Sequence, residues 1–305
     1  MHSGTGRIAR MLMRPMSLYE SEDSSGEVSL SELFKTNTIT PCRSVKTVHD
    51  IAYLICRGGW PQSIQASERK ALLIMRQYIE SIYNHDISRI DNTKTDPSRV
   101  ESFLRAYARH IQTMATQKTL LADIKENDIT FTEPTLYSYL DKLKRLFIIE
   151  ETPAWAPNIR SKTAIRTSSK KGFIDPSLAV SILHLSSEML LKDFEYFGLL
   201  FESLCLRDLR VYTDVLEGEI LHYHDNIGLE CDAIIRLPQG PYALVEIKLG
   251  GRLEEDAARN LMRLETLLVE KKRSKPAFKM ILTAGEYGYT RPDGIHIVPL
   301  ACLRD

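Results

Sequence analysis

Between Glu219 and Lys248 the chain shows the short apolar runs of a β-sheet and then interrupts them with acids and a lysine. Asp232 precedes Ala233-Ile234-Ile235, and Glu246-Ile247-Lys248 follows fourteen residues after Asp232. Successive side chains of a strand point to opposite faces, so Glu246 and Lys248 project together while Ile247 turns into the core. A turn through Pro238-Gln239-Gly240-Pro241 predicts a hairpin that brings Asp232 beside Glu246. Two acids and a lysine would then converge on an otherwise apolar sheet, an arrangement able to hold a divalent metal beside a water. Taken alone the pattern is degenerate, and it also fits a charged pair at a sheet end with an acid near a turn.

The flanking elements sharpen it. Apolar residues at helical spacing run from Ser187 to Arg210, with Glu202 inside the run. Glu219–His224 reads as a strand, Glu254–Lys271 as a charged amphipathic helix, and Lys279–Thr283 and Ile295–Val298 as two more strands. This order resembles the restriction-endonuclease-like fold of the PD-(D/E)xK superfamily. The resemblance implies Asp232, Glu246 and Lys248 as catalytic residues and Glu202, Asp232 and Glu246 as Mg²⁺ ligands. Lys248 would position or deprotonate the attacking water in metal-assisted phosphodiester hydrolysis.

At 305 residues, 43% hydrophobic and 26% charged, the chain has the length and composition for two or three globular domains. Its formal net charge is zero, so any nucleic-acid contact has to come from a local patch. Five scattered cysteines without a close CxxC pair argue against a zinc ribbon or disulfide framework and fit a reducing, cytoplasmic setting. No run of eighteen apolar residues predicts a membrane span.

Upstream, Gly6-Arg7, the phrase Met13-Arg14-Pro15-Met16-Ser17-Leu18-Tyr19-Glu20 and the phrase Gly58-Gly59-Trp60-Pro61 resemble parts of prokaryotic AAA-type ATP-binding proteins that end in a nuclease-like domain of poorly known function. The resemblance covers nearly the whole chain and implies that residues 1–92 are the remnant of an ATPase C-terminal strand and helical lid. There is no Gly-x-x-x-x-Gly-Lys-(Ser/Thr) phosphate loop, so no nucleotide-binding residues are assigned and no ATPase activity is expected. ATP belongs only to full-length family members. The chain is expected to be a truncated or split member with a loosely packed start, which an ATPase partner chain or a homo-oligomer would cover.

Residues 93–185 resemble a winged helix-turn-helix: helices over 99–114, 120–125 and 133–147, then strands over 163–167 and 172–174. The third helix offers Lys142, Lys144 and Arg145, and the stretch Asn158–Lys171 holds Arg160, Lys162, Arg166, Lys170 and Lys171 without an acid. Such clustering predicts a DNA phosphate contact, although a solvated loop or a protein-docking surface has the same composition.

The expected architecture is therefore multidomain α and α/β: a lid remnant, a winged helix, and a restriction-endonuclease-like domain over 186–305. The leading function is a DNA-associated protein with a Mg²⁺-dependent phosphodiesterase site. The alternative is a non-enzymatic DNA- or protein-binding module, or a regulatory piece of a split ATPase, whose nuclease fold is structural. His222 and His224 form a His-x-His pair on a strand but lack an evident third ligand beyond Asp225.

Overall fold

Local capping sets the helical half. The computed structural model describes residues 12–91, 93–156 and 168–305. Helix α1 (Leu30–Thr36) starts where the Ser29 hydroxyl accepts the Glu32 amide, and α2 (Val48–Arg57) starts at a reciprocal Thr47–Asp50 capping box. Helix α3 (Glu68–Ser81) passes through a π-helical turn to α4 (Ile87–Arg89). Asp96, Thr116 and Thr132 cap α5 (Pro97–Arg109), α6 (Gln117–Lys125) and α7 (Glu133–Arg145). The buried α8 (Pro176–Ile182) and short α9 (Ser187–Leu190) lead into α10 (Phe194–Asp214). A single helix predicted over 187–210 is thus two, because the Asp193 carboxylate accepts the Tyr196 amide and begins a new helix.

After α10 come β3 (Glu219–His224), β4 (Glu230–Arg236), β5 (Tyr242–Lys248), α11 (Glu254–Glu270), β6 (Lys279–Thr283), β7 (Tyr287–Thr290) and β8 (His296–Pro299). With β2 (Cys42–Arg43) they form a seven-stranded sheet in the order β2-β7-β8-β6-β5-β4-β3. Strands β3, β4 and β5 are antiparallel, and β5, β6 and β8 run parallel. The predicted hairpin is present: Ala233 faces Val245, a register that sets Asp232 opposite Glu246. One face packs on α10 through Ala233, Val245 and Ile247, and the other packs on α11 through Ile234, Leu244 and Ile281. Strand β7 escaped prediction because its residues are largely exposed and carry no apolar alternation.

The result is a mixed α/β chain with a helical N-terminal part and a C-terminal seven-stranded sheet. The first segment, expected to be loose, packs into the core from Leu18 onward, and its β2 joins the seven-stranded sheet. Strand β1 (Val28–Ser29) lies parallel to β9 (Leu303–Arg304), and β2 closes on β7. Leu18, Leu30, Leu33 and Ile51 are buried in the core that α10 and the sheet share. Both phrases that resemble ATPase sequence have structural uses here. The Met16 amide donates to the Gly59 carbonyl at 2.7 Å, and a Cβ on Gly59 would stand 2.2 Å from the Met16 carbonyl oxygen, so the backbones meet where only glycine fits. Arg57, which ends α2 before the second phrase, is buried against Asp23 at 2.5 Å. Gly6 and Arg7 lie outside the described residues.

Two stretches after α7 form an antiparallel pair: Ile149 faces Phe173 and Thr152 faces Lys170. The first arm also docks on the edge of β3. Ala154 lies parallel to His222, with the Trp155 amide donating to the His222 carbonyl at 2.6 Å and the His222 amide to the Pro153 carbonyl at 2.9 Å. The predicted strand at 172–174 is the second arm, while the one at 163–167 lies outside the described residues.

Candidate functional site

The four residues predicted for a nuclease-like centre come together. Asp232 stands just before the apolar run of β4, Glu246 and Lys248 lie on β5, and Glu202 projects from the buried middle of α10. Lys248 Nζ is 2.7 Å from Glu246 and 3.1 Å from Asp232, and the Ile247 amide donates to Asp232 at 2.9 Å.

A fifth member was predicted for a different task. Lys170 Nζ donates to Glu202 Oε1 at 2.6 Å and to Asp232 Oδ1 at 3.1 Å, and the residue is only 5% exposed. It reaches this point because the arm bearing it is fixed from both sides: the Lys170 amide and carbonyl each pair with Thr152 at 3.0 Å, and the opposite arm is bonded to β3. At that docking point the β3–β4 register shifts between Leu221 and Tyr223, a bulge that seats His222. His222 is fully buried; its Nε2 lies 3.1 Å from the Ser168 carbonyl, and its Nδ1 has no partner among the described residues.

Electrostatics follow from this crowding. Burial alone would raise the Asp232 carboxyl, but the Lys170 and Lys248 ammoniums outweigh it and hold the group well below the ordinary carboxylate range. Burial works against the charge on Lys170, yet Glu202 and Asp232 keep it protonated and raise its pKa. Burial pushes Glu246 up to about 8, with repulsion from Asp232 adding to it, and burial raises Glu202 to about 7. His222 is pushed down to about 4 by burial and by the neighbouring Lys170, which makes it a neutral ring.

The Glu246 shift has a measurable sign. Its pKa rises from 4.5 to about 8 on folding, so the stability it contributes is complete below about 4.5 and is lost as pH climbs through 8. Between those limits the wild type should lose about 2–4 kcal/mol more than Glu246→Gln, read from urea midpoints across pH.

The residues as folded do not fit a Mg²⁺ ion. Among the described residues no three acids, histidines or cysteines stand together as a metal-holding group. The Asp232 oxygens are already engaged by two ammoniums and an amide, and Lys170 occupies the space between Glu202 and Asp232. Among the described residues the His222 and His224 pair gains no third ligand either.

The basic set predicted for DNA divides. Lys170, Lys171 and Lys142 are buried, which removes them from any phosphate surface. Lys171 pairs with Glu151 at 2.7 Å, and Lys142 with Asp91 at 3.1 Å and the Thr93 hydroxyl at 2.6 Å. A lysine surrounded by carboxylates in a protein interior is worth more to the fold than to a ligand it cannot reach. Lys144 is at the surface but bonded to Glu151 at 2.6 Å, and Arg145 is exposed 3.8 Å from Asp141. Arg160, Lys162 and Arg166 lie outside the described residues.

A second buried network sits behind the first. Arg207 on α10 pairs with Asp175 at 3.0 Å and with Asp208 at 2.7 Å, all three fully buried. Asp175 also accepts the Gly59 amide at 2.9 Å, and Asp208 accepts the Leu18 amide at 3.0 Å. Sequence reading missed this hub. Its only signal was the pair Arg207-Asp208 inside an otherwise apolar helical run.

These features define the class: a mixed α/β protein in which charged networks join a helical part to a sheet. Residues 48–189 match a family described only as a domain of unknown function, DUF8612, and residues 197–303 match another so described, DUF4143. No curated protein and no solved structure matches the chain. Both networks cross the gap between the two matched regions, since Lys170 and Asp175 fall in the first and their partners Glu202, Asp232, Arg207 and Asp208 in the second.

Proposed function

We propose that this chain is a non-cutting, DNA-associated binding module: a winged-helix-like unit over residues 93–185 mounted on a restriction-endonuclease-like sheet whose acids serve as anchors. The observation that carries this reading is the buried Lys170 between Glu202 and Asp232, which turns the acid set inward on the protein's own ammonium. Helices α5, α6 and α7 followed by an antiparallel hairpin have the element order of a winged helix, and Arg160, Lys162 and Arg166 give its intervening stretch a positive charge. Nucleotide hydrolysis, if the assembly uses it, is assigned to a separate ATPase chain, because no phosphate loop is present here.

Duplex DNA titrated in low salt should bind with a Kd on the order of 1–100 μM, weakening as salt rises. Neutralising Arg160, Lys162 and Arg166 together should flatten the salt slope by about 2–3 units. Absence of DNA binding would replace DNA with a protein partner. The convergence of Asp232, Glu246 and Lys248 favours a second reading, a phosphodiesterase that takes up Mg²⁺ only in a form of the site from which Lys170 has withdrawn. Plasmid cleavage by the wild type in Mg²⁺, abolished in Lys248→Ala, would put that reading in place of the first.

A further inference from the structure

Among the described residues the cluster holds five charged side chains, and of these Lys170 alone comes from outside residues 197–303. We propose that the Lys170 ammonium is the resident cation of a latent divalent-metal site, bridging Glu202 and Asp232 in place of a metal ion and excluding one while it stays. This rests on the reading above that the cluster anchors rather than cuts, and it names what closes the site.

Charge counting supports it. Among the described residues three carboxylates, Glu202, Asp232 and Glu246, face two ammoniums, Lys170 and Lys248, which leaves one negative charge when all are ionised. A divalent cation added beside both lysines would leave the buried cluster with a net positive charge, whereas exchanged for Lys170 it would leave none. Burial makes such imbalance costly, so metal and Lys170 compete for one place. Geometry adds a second constraint. Lys170 is held by paired backbone bonds to Thr152, and the arm bearing Thr152 is stitched to β3 at His222, so the backbone that delivers the ammonium is fixed to the hairpin and the sheet edge. The same lysine is therefore both plug and tether.

The test is calorimetric titration of Mn²⁺ into the full chain, with thermal melting as a second readout. Wild type and Lys170→Arg are expected to show no saturable site. Lys170→Met is expected to take up one Mn²⁺ about 10²-fold or more tighter than wild type, since an ammonium at contact distance has been removed. That site should vanish when Asp232→Asn is added, and Mn²⁺ should raise the melting temperature of the single variant only. A folded Lys170→Met chain that takes up no Mn²⁺ overturns the proposal. So does a wild-type site that Asp232→Asn abolishes, and this second measurement decides the matter even if Lys170→Met does not fold. Cleavage of DNA by wild type would sink the functional reading, whereas Mn²⁺ uptake judges the plug, so the two fail separately.

Discussion

Arg207→Met is expected to destabilise the fold by about 3–5 kcal/mol, because it leaves Asp175 and Asp208 as buried carboxylates without their shared guanidinium. In a chain of this size that corresponds to a melting point lower by about 10 °C. The damage should spread beyond α10. Asp175 and Asp208 also hold the Gly59 and Leu18 amides, so residues 12–25 and the α2–α3 turn should gain amide exchange together. Adding Asp175→Asn to Arg207→Met should recover part of the loss, since one unpaired charge is then removed. A variant that melts within about 1 kcal/mol of wild type would show that the surrounding apolar packing, and not the ion network, joins these segments.

Asp232→Ala is expected to cost a similar amount, about 3–5 kcal/mol, for a related reason. It withdraws one carboxylate from Lys170, Lys248 and the Ile247 amide at once. The direction is informative. Removing an acid that exists for chemistry commonly leaves stability unchanged or improved, because active sites are strained toward their task. A large loss, partly recovered when Lys170→Met is combined with it, would identify Asp232 as an anchor. A gain in stability would point instead to a site held ready for a ligand.

The sheet was readable in the sequence because two simple rules sufficed there. Short apolar runs marked β4 and β5, the alternation of strand faces put Glu246 and Lys248 together, and the Pro-Gln-Gly-Pro turn brought Asp232 opposite Glu246. The polarity of Lys170 and Lys171 was legible, but their direction was not. Neighbouring residues on an extended arm point to opposite sides, and here each side holds acids, Glu202 and Asp232 on one and Glu151 on the other. Those acids lie 32, 62 and 20 residues away, too far for a local pattern to join them to the lysines. Lys142 misled similarly, since its place on the polar side of an amphipathic helix gave no hint of Asp91 and Thr93. Strands β1 and β2 contain two residues each, below the length at which periodicity carries information.

The pairing of β1 with β9 and of β2 with β7 governs the order in which the molecule can be made. During synthesis, residues 28–43 emerge long before residues 287–304, which supply their partners. Leu30, Leu33 and Cys42 must wait exposed until nearly the whole chain has been translated. The helices from α2 to α8 can settle among themselves meanwhile, but closure of the sheet edge is a late, long-range event. Chaperone demand and aggregation during expression should therefore concentrate in these early apolar residues, and a fragment ending before β7 should be captured by holdases even though most of its helices are intact.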